Sequence, residues 1–317
     1  MLRWAIAAVL GAVAAPSAAA QAPEAPATAQ EQVRDIIVVA RRTGIPIWEV
    51  TAEGRTIFLV GSINGVTSEA QWDATALTEA LRRADRVMFP ESREFRITNP
   101  FRMMRYLSRW RRQSSLPRGR TLAELLAPGH VTRLEALRGR QIVERDYLTT
   151  HPFHLANELR DATRRGTGRG RDVRAFVREA IRRHRLTMVP IVRGNVREVA
   201  RDLFGSAPEE HVPCLVSAIA LAEAGPDAIR ERSRAWVERR VADVLASPAE
   251  AMEANCWPND AASDRQEAAD LRSTIRGLLG EPQVTIAVLQ LRTLAAPGGV
   301  LDDLESAGFD IVGPDWR

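Results

Sequence analysis

The chain has 317 residues, 45% of them hydrophobic, which is enough to bury a sizeable core in one large domain. Its formal charge is only +4, and acidic residues are interleaved with the 44 basic ones, which argues against a polycation built for nucleic acid. Every basic residue is arginine; the denser runs at residues 102–120 and 160–185 read as solvated surface.

Residues 1–20 carry one charge, Arg3, then an unbroken apolar stretch from Trp4 to Ala15 and a small-residue end, Ala18-Ala19-Ala20. That order is a secretory signal peptide, and the stretch is short of the ~20 residues of a membrane span. The mature protein is therefore expected to be periplasmic or secreted, and not transmembrane after cleavage. Residues 21–32, rich in Ala, Pro and Gln, read as a flexible tether, and residues 33–317 as a single domain.

Within that domain, residues 36–40 and 46–50 read as short strands, and Glu53-Gly54 as the turn into a third strand, 56–60. A helix over 73–83, with Leu77, Ala80 and Leu81 on one face, leads into the apolar run 86–89, which ends at Glu91. The middle is helical. Thr121-Leu122-Ala123-Glu124 is a capping box, 164–171 is a glycine- and arginine-rich loop, and 173–183 is a helix feeding a strand at 186–192. Helices are expected over 211–223 and 227–245, the second with Ile229, Trp236, Val237, Val241 and Val244 as its apolar side. The fold closes with helix 266–279, strand 284–289, helix 299–307 capped by Gly308, and strand 309–312. The fold class is α/β, a central mixed β-sheet with flanking helices and a predominantly helical middle segment. Trp48, Trp72, Trp236, Trp257 and Trp316 are expected to anchor the core.

Cys214 and Cys256 are the two cysteines. In an oxidising compartment they are expected to pair, closing a loop of about 40 residues worth roughly 3 to 4 kcal/mol; two buried free thiols are the alternative.

The chemistry should lie where strands end. Gly61-Ser62-Ile63-Asn64 follows one apolar run, Glu91 a second, and Gln290-Leu291-Arg292-Thr293 a third. This order, with Pro46-Ile47-Trp48-Glu49-Val50 before it and Leu294, Gly299-Val300-Leu301-Asp302-Asp303-Leu304 and Gly308-Phe309 after it, resembles the TraB/GumN family, which includes the Tiki-type metal-dependent proteases. The likeness covers both ends of the mature chain well and the middle poorly. The resemblance implies a Gly-x-x-His motif after an early strand, a glutamate after the next, and a second Gly-x-x-His late in the chain. Here Gly61 and Glu91 match, Asn64 stands at the first histidine, and Gln290 and Thr293 replace the second glycine and histidine. An Arg-Asn pair that the family places before the last helix has no clear counterpart near Arg265-Gln266.

Imidazole is a far stronger ligand for a transition ion than a neutral amide or hydroxyl oxygen, so the loss of both histidines points away from hydrolysis. The expectation is a non-catalytic, degenerate-site binding or scaffold protein of the cell envelope, with no cofactor. Its partner would be an envelope protein or a small ligand in a pocket drawn from Gly61, Asn64, Glu91, Arg292 and Thr293. The alternative is a metal-dependent hydrolase in which the oxygens of Asn64, Glu91 and Thr293 hold Mn, Co or Ca. A third reading has Asn64 and Thr293 bonding strand-end backbone, with Glu91 paired to Arg292.

Weaker candidates are a metal on the helical face of His151, His154 and Glu158, and a serine nucleophile among Ser62, Ser68 and Ser92. Asp35-Ile36-Ile37-Val38-Val39-Ala40 is similar to the short boxes by which outer-membrane receptors recruit TonB, and could add a strand to a partner's sheet edge; an ordinary first strand is the alternative.

Overall fold

The structure is a computed structural model and describes residues 44–89, 114–140, 147–190, 205–256 and 261–317, together with Met104 and Ser108. Residues 1–32, the 36–40 segment, Glu91, Ser92 and Trp257 lie outside the described residues. All described residues belong to the compact unit Arg41–Arg317.

The opening is a tight hairpin. β1 (Ile47–Ala52) runs antiparallel to β2 (Arg55–Ser62), and the turn takes positive φ at Glu53 (48°) and Gly54 (79°), the left-handed pair that a two-residue hairpin loop requires. Asp73 then fixes the start of α1 (Thr75–Arg83) by accepting from Thr75 N at 2.9 Å, and α1 leads to β3 (Arg86–Phe89). The middle supplies α2 (Leu122–Leu125), α3 (Pro128–Gly139), α4 (Pro152–Thr163), α5 (Val173–His184) and β4 (Thr187–Pro190). The capping box is formed: Glu124 Oε1 accepts from Thr121 N at 3.1 Å. The predominantly helical second half continues through α6 (Val212–Val237), α7 (Val241–Leu245), α8 (Pro248–Asn255) and α9 (Ala261–Leu279). It ends on β5 (Thr285–Gln290), α10 (Leu291–Ala295), α11 (Val300–Ser306) and β6 (Asp310–Val312). Gly308 takes φ 82° just past α11, as expected of the cap.

One expected helix is two. The span 227–245 breaks because Arg239 adopts a left-handed φ of 62°, so α6 stops at Val237 and α7 restarts at Val241. α6 is itself bent at Gly225 (φ 73°, ψ −172°), just before Pro226, whose ring cannot continue the hydrogen-bond ladder.

The six strands form one mixed sheet in the order β4-β3-β5-β2-β1-β6. β2, β3, β4 and β5 are parallel, while β1 is antiparallel to both β2 and β6. The central parallel strands β2 and β5 are covered on both faces, which is why Ile57-Phe58-Leu59-Val60 and Thr285 to Leu289 are uninterrupted buried runs rather than alternating ones. β2 and β5 pair in register from Ile57–Thr285 to Ser62–Gln290, so both strands end level on the same edge of the sheet.

Two cores result. One surrounds the sheet and includes Trp48, Leu59, Trp236 and Val288; the second is helical, and α4, α6 and α8 contribute Leu155, Leu215, Ile219 and Met252. Trp48, Trp72 and Trp236 are buried as expected, and Trp316 is half-buried. Cys214 and Cys256 form a disulfide across 42 residues that fastens the end of α8 to the start of α6.

Candidate functional site

The segment leaving β2 is held by one face of α6. Trp236 Nε1 donates to the Gly61 carbonyl at 2.9 Å, Arg232 donates to the Asn64 carbonyl, and Ser233 Oγ accepts from Thr67 N at 3.3 Å. Residues 229, 232, 233 and 236 are three and four apart, so they share one helix face, and Ile229 completes it by taking the Ser233 hydroxyl on its carbonyl at 3.0 Å. Gly61 permits this closeness: a Cβ there would stand 2.5 Å from Leu291 Cδ1 and 3.2 Å from the Trp48 ring. Gly65, at φ 67°, lies directly beneath the Arg164 guanidinium, which would meet a Cβ at 2.2 Å.

Asn64 therefore sits just past the end of β2, and its carboxamide is engaged on both sides. Arg174 of α5 donates to Oδ1, and Nδ2 donates to Glu253 Oε2 of α8 at 3.2 Å. Beneath it lies a buried ion pair. Arg232 and Glu250 are 4% exposed each, with Nη1 to Oε2 at 3.1 Å. Arg292, leaving the end of β5 on α10, binds the other Glu250 oxygen at 2.9 Å and the Glu250 carbonyl at 3.2 Å. Ser247, which accepts from Glu250 N at 3.2 Å, caps α8 and fixes Glu250 in its first turn. Burial pushes the Arg232 guanidinium below its usual basicity; Glu250 and Glu253 oppose this and Arg164 adds to it.

The structure thus brings Gly61, Asn64 and Arg292 to one edge, as expected. Thr293 is half-buried on α10. The expected pairing of Arg292 with Glu91 falls partly outside the described residues; among those described, Arg292 is paired with Glu250 instead. Sequence reasoning missed Arg164, Arg174, Arg232, Glu250 and Glu253. The available signal was Arg232 itself, a charge standing on the buried stripe shared by Ile229 and Trp236.

Among the described residues, the oxygens of this cluster are already engaged. The Asn64 oxygen already accepts from a cation, both Glu250 oxygens are taken by guanidinium groups, and among the described residues no group of three His, Cys, Asp or Glu could hold a metal. Ser62 Oγ is buried and donates to the Leu289 carbonyl at 2.9 Å, and Ser68 Oγ donates to the Thr167 carbonyl at 3.4 Å, so among the described residues each hydroxyl is turned to a backbone carbonyl rather than to a base. His151 and His154 do share the start of α4, where they meet His211 rather than form a metal face with Glu158: ring centroids are 5.1 Å apart for His151 and His211 and 6.1 Å for His151 and His154. His151 Nδ1 accepts from Phe153 N at 3.3 Å and so caps the helix. Burial holds the three imidazoles below the ordinary histidine range, His151 at about 4.

An open groove of about 760 Å³ lies away from Asn64, between the β1–β6 side of the sheet and α1 and α7; its Glu49 is already bound by Arg83 at 2.6 Å. It contains none of the strand-end candidates.

No curated protein and no solved structure matches the chain. The pattern that defines the TraB/PrgY/gumN family does match, over residues 46–312, from the start of β1 to the end of β6. The chain belongs to the TraB/PrgY/gumN family.

Proposed function

We propose that this is an exported, non-catalytic binding protein of the cell envelope, in which the strand-end position of a metallohydrolase centre has been rebuilt as an arginine–glutamate cluster. The observation that carries the reading is the contact of the Arg174 guanidinium with Asn64 Oδ1. If Asn64 stands where a ligand imidazole would be, its one metal-binding oxygen faces a fixed positive charge, and Arg232 and Arg292 lie behind it. Like charges at such separations disfavour a divalent cation by several kcal/mol at a protein's effective dielectric. With no ion to lower the pKa of a water, hydrolysis has no nucleophile.

The reading is tested by incubating the purified mature chain with unstructured peptides in the presence of Mn²⁺, Co²⁺ or Zn²⁺. No cleavage above background is expected. Turnover that is lost in Glu91→Ala would return the protein to the hydrolases. Export is tested separately by N-terminal sequencing of protein recovered outside the cytoplasm, which should begin at Gln21.

A further inference from the structure

Among the described residues, the arginine cluster has more positive charge than its acceptors can neutralise. The guanidinium groups of Arg174 and Arg232 meet Asn64, that of Arg164 stands over Gly65 and that of Arg292 shares Glu250 with Arg232: among the described residues, four positive charges against the two carboxylates of Glu250 and Glu253, a surplus of two. Glu250 is saturated, one oxygen on Arg232 and the other on Arg292. The Arg174 guanidinium has, among the described residues, only the neutral Asn64 oxygen as acceptor, and the Arg164 guanidinium has no hydrogen-bond or ion-pair partner among them. The Nε–H groups of Arg174, Arg232 and Arg292 are all buried without an acceptor. Buried donors are almost always satisfied, so three in one cluster, one of them on an arginine 4% exposed, mark a place where an acceptor is missing.

We propose that this cluster binds a phosphate group, as inorganic phosphate or as a phosphate monoester. The inference rests on the reading that the strand-end site no longer holds a metal. A dianion matches the surplus of two charges, which a carboxylate would only halve. Tetrahedral oxygens also accept from several guanidinium forks at once, the geometry for which arginine is suited. The place is right as well: Asn64 and Arg292 stand beyond the level carboxyl ends of the adjacent parallel strands β2 and β5, where α/β sheets receive ligands. Gly65, left-handed and without a side chain, keeps the loop low under Arg164. Asn64, Arg174 and Arg292 are half-buried, so the cluster is partly open to solvent.

The experiment is calorimetric and thermal-shift titration of the mature chain with inorganic phosphate, glycerol phosphate and, as the monoanion control, acetate, all at matched ionic strength. Saturable binding of phosphate with a rise in Tm is expected, weakened at least tenfold in Arg174→Gln and in Arg164→Gln, with no response to acetate. Sedimentation with phosphatidic acid vesicles, against phosphatidylcholine alone, separates a lipid headgroup from a free phosphate as the source. A wild-type chain that ignores both phosphate and the anionic vesicles would overturn the proposal. So would binding that both variants leave unchanged. Binding that emerges only in Glu91→Gln would overturn it too, since the chain would then supply its own acceptor. Metal analysis of the same preparation keeps the two readings apart: stoichiometric Mn, Co or Zn defeats the non-catalytic reading beneath the proposal, whereas metal-free protein indifferent to phosphate defeats the proposal alone.

Discussion

Arg232 can be buried because two acceptors meet it, the Asn64 carbonyl and Glu250, and the charge of Glu253 lies close by. Taking a charge out of water costs several kcal/mol unless a partner is fixed in place, and Glu250 is fixed by the Ser247 cap. Removing one member strands the other, so Glu250→Ala should lower unfolding free energy by about 3 to 5 kcal/mol in urea denaturation. The paired replacement Arg232→Met with Glu250→Leu should recover part of that loss, because the fully buried charge goes with its partner and only the half-buried Arg292 loses its carboxylate. A cost for Glu250→Ala of about 1 kcal/mol or less would mean that the pair behaves as a surface salt bridge and that the cluster is not the keystone described here.

At the scale of elements, α6 does two tasks along its length. Before the bend at Gly225, its Cys214, Leu215, Ala218 and Ile219 pack in the helical core; after it, Ile229, Arg232, Ser233 and Trp236 hold the β2 exit. The Cys214–Cys256 disulfide ties the first half to the end of α8, the helix that carries Glu250 and Glu253. Cys214→Ser should cost roughly 3 to 4 kcal/mol by loop closure under oxidising conditions, read as a fall in Tm that reductant reproduces in the parent. Unchanged Tm would show that the covalent tie is redundant with packing. The start of α4 adds a pH dependence. His151 titrates near 4 in the folded chain, chiefly because it is buried and then because His211 and His154 are close, with Glu209 opposing. The unfolded chain titrates near 6.5, so it binds more protons between these values. Stability from His151 is thus complete above about pH 6.5 and is lost as pH falls towards 4, at up to ~1.4 kcal/mol per pH unit. His151→Asn, which keeps a capping oxygen but cannot be protonated, should flatten that slope; an unchanged slope would assign it to His154, His211 or the carboxylates instead.

For the molecule as a whole, the sheet was legible where it is most buried. The continuous apolar runs of β2 and β5 and the Glu53-Gly54 turn announce their own structure, because each depends on neighbours a few residues away. The bridge between Cys214 and Cys256 was legible for another reason, that the apolar N-terminal stretch led to the expectation of an oxidising compartment, where two thiols have few other fates. The break at Arg239 was not legible, since nothing in arginine asks for a left-handed backbone. The site divides the same way. Asn64 and Arg292 were found because strand ends carry a spacing, while Arg174 and Glu253 reach Asn64 from positions 110 and 189 residues away, a proximity that only the fold creates. A glycine- and arginine-rich loop read as solvated surface turned out to place Arg164 over Gly65.

The central claim is that guanidinium groups now occupy the surroundings of Asn64 in which a metallohydrolase would seat its ion. Elemental analysis of the mature chain, expressed with Mn, Co and Zn supplied and purified without chelator, tests it most directly. Only traces of metal, unaltered by Glu91→Ala, are expected; one transition ion per chain that disappears in that variant would contradict the account.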